Sequence, residues 1–418
     1  YILLLNEILD DNIETAIKSA VYMNYRYLYN DKTIAYSAPT LHCALFFFMR
    51  NYAYSGMFRY SSKGDFNVPY GGIAYNSKLM AKKLNYYRSK PLLRHFSDTK
   101  IYNLDFEEFL WAIGVNDEVI DALRKFYDEE SPVPAGIHTA MKRYLNLYIV
   151  VGGLPDAVNA FIGTNNLNEV SRVHASILKE YRDDMVKYAP EKDKPHIREC
   201  FNSIPGQLAK ENKKFQYSAV KPGGRGEAFL GSIQWLEDAG IICRCYNTDI
   251  TTLPLSGNVK DNVFKVYMTD IGLLVEMLGT GVKADILQGN LGGFKGAIYE
   301  NLMADTLHKK GQNLYYFQKD SGLELDFLVR MKGECVPIEV KAKSAQAKSV
   351  KTVLKHPEKY HISHVLKFGD FNVGREGDLT TLPNYMQFLL NFEQELVALE
   401  PLDVDAVNDM AKGILTRS

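Results

Sequence analysis

Two short apolar runs, Leu325-Asp326-Phe327-Leu328-Val329 and Val336-Pro337-Ile338-Glu339-Val340-Lys341, constrain this chain most, because each places a carboxylate where a buried strand usually has none. Side chains alternate faces along a strand, so Glu339 and Lys341 point the same way. The runs are joined across Lys332-Gly333, and an even-numbered loop centred there sets Asp326 opposite Glu339 with Cβ atoms about 5 Å apart. Two carboxylates that close repel unless a proton or cation lies between them, and a hard, oxygen-seeking ion such as Mg²⁺ suits the pair. Lys341 then stands where it can neutralise charge developing on a phosphate, and Glu300, on the preceding predicted helix, can complete the metal shell. The expected catalytic and metal-binding set is therefore Glu300, Asp326, Glu339 and Lys341.

The chain has 418 residues, 46% of them hydrophobic, enough for two to four domains each with a core. Its 49 basic and 50 acidic side chains exclude a uniformly basic nucleic-acid coat, so any DNA contact must come from local patches. Of five cysteines only Cys243 and Cys245 lie close together, which argues against a disulfide framework and for a reducing cytoplasm. The apolar run Cys43 to Met49 is far short of the roughly 20 residues that span a bilayer, and no membrane association is expected. The chain opens at Tyr1 inside an apolar run, so further residues are expected upstream.

The segments differ in pattern. Residues 1–103 show little periodicity, with 13 of the 27 tyrosines among the first 100 residues, and read as an α/β segment of poorly defined pattern. Residues 104–191 carry helical spacing, with Phe106, Phe109, Leu110 and Ile113 followed by Val119, Ile120 and Leu123, and read as a helical connector. Residues 192–289 give helix, helix, strand, loop, strand, the order of a winged helix-turn-helix. Its first half, Lys192 to Arg225, has eight Lys/Arg against three Asp/Glu. Lys210, Lys213, Lys214, Lys221 and Arg225, helped by Lys260 and Lys265 of the wing, are the expected DNA contacts; a winged helix that only packs domains together is the alternative. Residues 290–395 read α-β-β-β-α-β, and 396–418 form an acidic tail.

The pattern Glu300, Asp326, Glu339-Val340-Lys341 resembles that of the restriction-endonuclease-like, PD-(D/E)xK nucleases, with an ion-paired sheet edge that does not cut as the alternative. Longer motifs resemble the prokaryotic AAA-type ATP-binding proteins with a C-terminal domain of unknown function: Ser203 to Phe215, Trp235 to Gly240, Tyr267 to Leu274, Lys295 to Asn301 and Pro337 to Lys341, with Leu104 to Leu110 and Gly152-Gly153-Leu154-Pro155 upstream. That resemblance implies a multidomain α/β chain of ATPase core, helical connector, winged helix and nuclease-like domain. No G-x-x-x-x-G-K-[ST] phosphate loop occurs, so the ATP site is incomplete in this chain. In Tyr1 to Glu7 the resemblance implies the acidic nucleotide motif, with Asn6 in place of the metal-holding Asp and Glu7 polarising water. Two functions follow: an ATPase-family protein acting on or near DNA, with Mg²⁺ at its nuclease-like site, or a non-enzymatic DNA- or protein-interaction module whose nucleotide and metal sites are both defunct.

Overall fold

A computed structural model describes residues 10–31, 33–34, 38–53, 60 and 65–68, and the run 103–392 apart from 190–192, 211–212, 225, 280, 291, 320 and 342–347. Helices α1 (Asp10–Asn30) and α2 (Pro39–Tyr52) form a small pair, and Tyr22 and Met49 from them are buried in one cluster with Phe66 and Val68. Asn30 fixes the backbone of Phe66 from both sides, accepting its N–H at 2.7 Å and donating to its carbonyl at 2.8 Å. Asn6 and Glu7 lie outside the described residues.

The helical spacing expected from Leu104 to Phe126 resolves into α3 (Phe106–Ala112) and α4 (Asp117–Asp128), separated at Gly114, whose φ of +94° suits glycine. Asp105 caps α3 in a capping box: its carboxylate accepts the Glu108 N–H at 2.8 Å, and Glu108 accepts the Asp105 N–H at 3.2 Å. Such a cap contributes about 1 kcal/mol. α5 (Ala135–Val151), α6 (Pro155–Thr164) and α7 (Leu167–Tyr188) complete the helical part. No single helix among the described residues is long and apolar enough to cross a membrane; α5 and α6 pass that test only together, across a bend of 119°.

Next come α8 (Lys194–Leu208), the short α9 (Tyr217–Val220), α10 (Gly226–Asp238), β1 (Ile242–Thr248) and β2 (Val259–Met268). Gly240 follows α10 with φ of +70°, the left-handed conformation that glycine takes just past a helix end. α11 (Ile271–Met277), α12 (Val282–Leu287) and α13 (Lys295–Lys309) lead into β3 (Leu314–Gln318), β4 (Glu324–Met331) and β5 (Glu334–Lys341). α14 (Lys348–Lys355), α15 (Pro357–Tyr360), β6 (Val365–Gly369), β7 (Gly374–Glu376) and β8 (Leu379–Pro383) follow.

The eight strands of the described residues form one mixed sheet of order β2-β1-β3-β4-β5-β6-β8-β7. β1 pairs antiparallel with β2 and parallel with β3, so the strands expected to form a separate wing are built into the same sheet as the carboxylate-bearing hairpin. β7 and β8, absent from the sequence reading, extend its other edge.

The motifs at Leu104, Gly152-Gly153 and Asp270 meet at one seam. Asp270 caps α11 by accepting the Leu273 N–H at 2.9 Å and also accepts the Gly153 N–H at 2.8 Å, while the Leu104 N–H donates to the Gly153 carbonyl at 2.8 Å. A Cβ on Gly153 would lie 2.0 Å from the Leu104 carbonyl oxygen, and one on Gly272 would lie 2.8 Å from the Gly152 backbone. These glycines are where three chain segments touch backbone to backbone.

Candidate active site at the β4–β5 hairpin

Lys332 and Gly333 form a two-residue turn with φ of +48° and +83°, the left-handed pair that matches strand twist, and Met331 pairs with Glu334 across it. The register therefore runs Val329 to Val336 and Phe327 to Ile338. One step further on, side chains take over the ladder. The Asp326 carboxylate accepts the Val340 N–H at 2.8 Å, and the Asp326 N–H points at Glu339 Oε2 at 3.4 Å. Asp326 and Glu339 are 6% and 3% exposed. Lys341 lies 2.5 Å from Glu339 Oε1 and 3.9 Å from Asp326 Oδ2 and is the member of the group that reaches solvent.

Glu300 projects from α13, which Asn301 fixes to β2 by accepting the Met268 N–H at 2.8 Å and donating to its carbonyl at 2.9 Å. The Glu300 carboxylate is taken up by Lys213, by the Tyr267 hydroxyl at 3.3 Å and by Lys265 at 3.9 Å. Lys265 also binds Glu324 at 2.7 Å. Two expectations are corrected here. Lys213, expected on a DNA-facing surface, is turned inward because Glu300 is buried and needs a counter-charge; Lys265, expected on an exposed wing, is 1% exposed for the same reason.

Of the other expected DNA contacts, Lys210 and Lys221 are exposed, Lys214 is half-buried, and Arg225 lies outside the described residues. Lys260 pairs with Asp249 at 3.0 Å. Cys243 and Cys245 are buried on β1 with raised thiols, burial being the main cause.

The carboxyls diverge in acidity. Burial pushes Asp326 well above the usual carboxylate range, with the charges of Glu339 and Glu300 adding to it. Burial also raises Glu339, against Lys341 and the Asp326 backbone N–H. Burial would raise Glu300 too, but Lys265 and Lys213 outweigh it and hold Glu300 below its ordinary value. Lys341 is likewise raised, the carboxylates of Asp326 and Glu339 overcoming the effect of its burial. Glu300, Glu324, Asp326 and Glu339 are ion-paired with three lysines, Lys213, Lys265 and Lys341, and a fourth, Lys367, stands level with Glu339 on β6. A proton or a cation between Asp326 and Glu339 relieves the repulsion of the two adjacent carboxyls.

Among the described residues no three or more His, Cys, Asp or Glu side chains are disposed to cage a metal. Mg²⁺ needs no such cage, since one or two carboxylates plus water and substrate phosphate hold it. Asp326 and Glu339 fit that requirement as an adjacent carboxylate pair. Glu300 does not fit as a third ligand, because Lys213 occupies its carboxylate.

The sequence reading missed Lys213, Lys265, Tyr267 and Glu324 as neighbours of the site. Lys265 carried a signal, since it interrupts the apolar run Val263 to Tyr267 as Asp326 interrupts its own.

Three family models match the chain. Residues 4–120 match that of the D12 class N6 adenine-specific DNA methyltransferases, residues 142–284 a domain of unknown function (DUF8612), and residues 295–385 a domain of unknown function (DUF4143). In place of the ATPase segment expected in residues 1–103, the matching model is thus that of a DNA methyltransferase class. No curated protein and no solved structure matches.

Proposed function

We propose that the part of the chain from α8 to β8 acts on the phosphodiester backbone of DNA, with Asp326 and Glu339 as ligands of a divalent cation. The observation that carries this reading is the buried Asp326–Glu339 pair at the opened end of the β4–β5 ladder, with Lys341 2.5 Å from Glu339. When bound there, Mg²⁺ would supply Lewis-acid polarisation of a phosphoryl oxygen. The protein's own contributions are separate. Asp326, fixed by the Val340 N–H, and Glu339, fixed by Lys341, are preorganised by the fold. Lys341, the solvent-facing member, meets charge developing on the phosphate. Lys213 and Lys265 keep Glu300 ionised and held on α13.

DNA as the partner is supported by the methyltransferase class matched at residues 4–120, and by α8, α9, α10, β1 and β2, which follow the order of a winged helix with Lys210 and Lys221 exposed. ATP has no part in this reading.

A non-enzymatic reading is favoured by one observation: lysines already pair the carboxylates, so the cluster is also complete as a salt-bridge network in a sheet that serves only binding. Nicking of supercoiled plasmid by the full chain separates the two. The proposed function requires cutting that depends on Mg²⁺ or Mn²⁺ and is lost in Asp326→Asn and Glu339→Gln. Absence of cutting in either metal, or equal cutting by the variants, would decide for the binding module.

A further inference from the structure

The stretch from Lys341 to Tyr360 contains six lysines and a single acidic residue, Glu358. Three of the lysines, Lys348, Lys351 and Lys355, are exposed on α14. Spacings of three and seven residues put them on one face of a helix, rising about 4.5 and 6 Å from one to the next. Among the described residues no carboxylate pairs with any of the three; Glu358 instead faces His356 at 3.4 Å. The opposite side of α14 is committed to the core, with Val350 and Val353 buried against Phe317, Leu325 and Leu328. Ser349 accepts the Glu324 N–H at 3.3 Å, which ties the helix to the strand that bears Asp326.

The helix that carries the stripe packs beside the strand that bears Asp326. Among the described residues α14 follows β5, whose last residue is Lys341. On the neighbouring strand Lys367 stands level with Glu339. Lys341 and Lys367 on the sheet and Lys348, Lys351 and Lys355 on α14 thus set positive charge on both elements, which the Ser349–Glu324 hydrogen bond holds together. The face is poorly suited to a membrane surface, since the apolar side of the helix is already used inside the protein. A regular row of ammonium groups with no carboxylate partner among the described residues, beside a phosphate-suited site, is instead complementary to a nucleic-acid backbone.

We propose that Lys348, Lys351 and Lys355 form the phosphate-backbone contact that holds duplex DNA against the Asp326–Glu339–Lys341 site, an inference that rests on the function proposed for that site. It places the main DNA contact on α14 and not on the α8–α10 helices. Lysine contacts to phosphate carry no sequence preference, so the contact predicts binding to any duplex.

The test is fluorescence anisotropy of a labelled duplex with the full chain, without divalent cation so that nothing is cut. Lys348→Gln/Lys351→Gln/Lys355→Gln keeps good helix formers on an exposed face and should leave folding intact. The expected result is a salt dependence shallower by about 2 to 3 in log–log slope, since each lost phosphate contact removes about 0.9. At about 0.1 M salt, affinity should fall on the order of tenfold or more, alike for unrelated sequences. Unchanged slope and affinity would overturn the proposal. So would a loss seen only with Lys210→Gln/Lys221→Gln, absence of DNA binding by the unmodified chain, or binding to phosphatidylserine vesicles without binding to DNA. If the triple variant loses affinity while no protein cuts plasmid, the contact stands and the nuclease reading falls.

Discussion

Replacing Lys213 by Met should expose how the Glu300 carboxylate is maintained. Glu300 is 6% exposed, and the Lys213 side chain 13%, so both groups are largely out of water. Removing one partner of a buried pair costs about 3–5 kcal/mol when nothing else compensates. Here Lys265 remains 3.9 Å away and the Tyr267 hydroxyl 3.3 Å away, so about 2–3 kcal/mol is expected. Glu300→Gln in the same background removes the stranded charge and should recover most of that, giving a coupling of about 2 kcal/mol in a double-mutant cycle. The pH dependence has a definite sign. In the unmodified protein Glu300 is held below its ordinary 4.5, so its contribution is present above that value and is lost as pH falls through the lower folded value. In Lys213→Met the charge and hydrogen bond of Lys213 are gone while Lys265 stays, so burial counts for more, the carboxyl rises relative to the parent, and the variant recovers by taking up a proton sooner as pH falls. The gap between the two proteins should therefore narrow as pH is lowered from about 8 toward about 5. Urea denaturation at several pH values reads this directly, as a shift in midpoint at unchanged slope. A Lys213→Met protein as stable as the parent at every pH, or a penalty that Glu300→Gln does not relieve, refutes the reasoning.

Two other substitutions probe the seam that joins the helical part to the sheet. Gly153→Ala drives a methyl to within 2.0 Å of the Leu104 carbonyl oxygen and should cost about 2–3 kcal/mol, or prevent soluble expression; thermal melting near the parent value would show that the seam can open freely. Asp305 binds Lys309 at 2.7 Å, yet its Oδ1 is buried without a partner among the described residues, and burial pushes the carboxyl from 3.8 up to about 7. Because the folded state then binds the extra proton, stability should decline as pH rises between those two values, and Asp305→Asn should flatten the decline; identical pH profiles for the two proteins would contradict it.

The hairpin and its carboxylates were legible in the sequence because a period-2 pattern and a two-residue turn fix register with purely local information. Asp326, Glu339 and Lys341 needed nothing else to be brought together. The sheet's full extent was not legible. β1 joins β3 across more than sixty residues of intervening chain, and no local pattern encodes that pairing. β7 and β8 were missed because they are three and five residues long and are ordered by pairing that no local pattern encodes, β8 along β6 and β7 along β8. Lys213 and Lys265 were assigned to the surface by charge alone. Their inward turn follows from Glu300, whose burial depends on where α13 packs. The methyltransferase likeness of residues 4–120 left no periodic signature among the Tyr- and Asn-rich stretches there.

The central claim, that Asp326 and Glu339 hold a divalent cation, is tested most directly by calorimetric titration of the full chain with Mg²⁺ in two buffers of different ionisation enthalpy near neutral pH. Asp326 is held well above the usual range by burial and by the neighbouring carboxylates, so a cation binds it in competition with a proton. The prediction is saturable binding with proton release in the unmodified chain, and loss of both in Asp326→Asn. Binding that releases no proton, or that Asp326→Asn leaves unchanged, would contradict it.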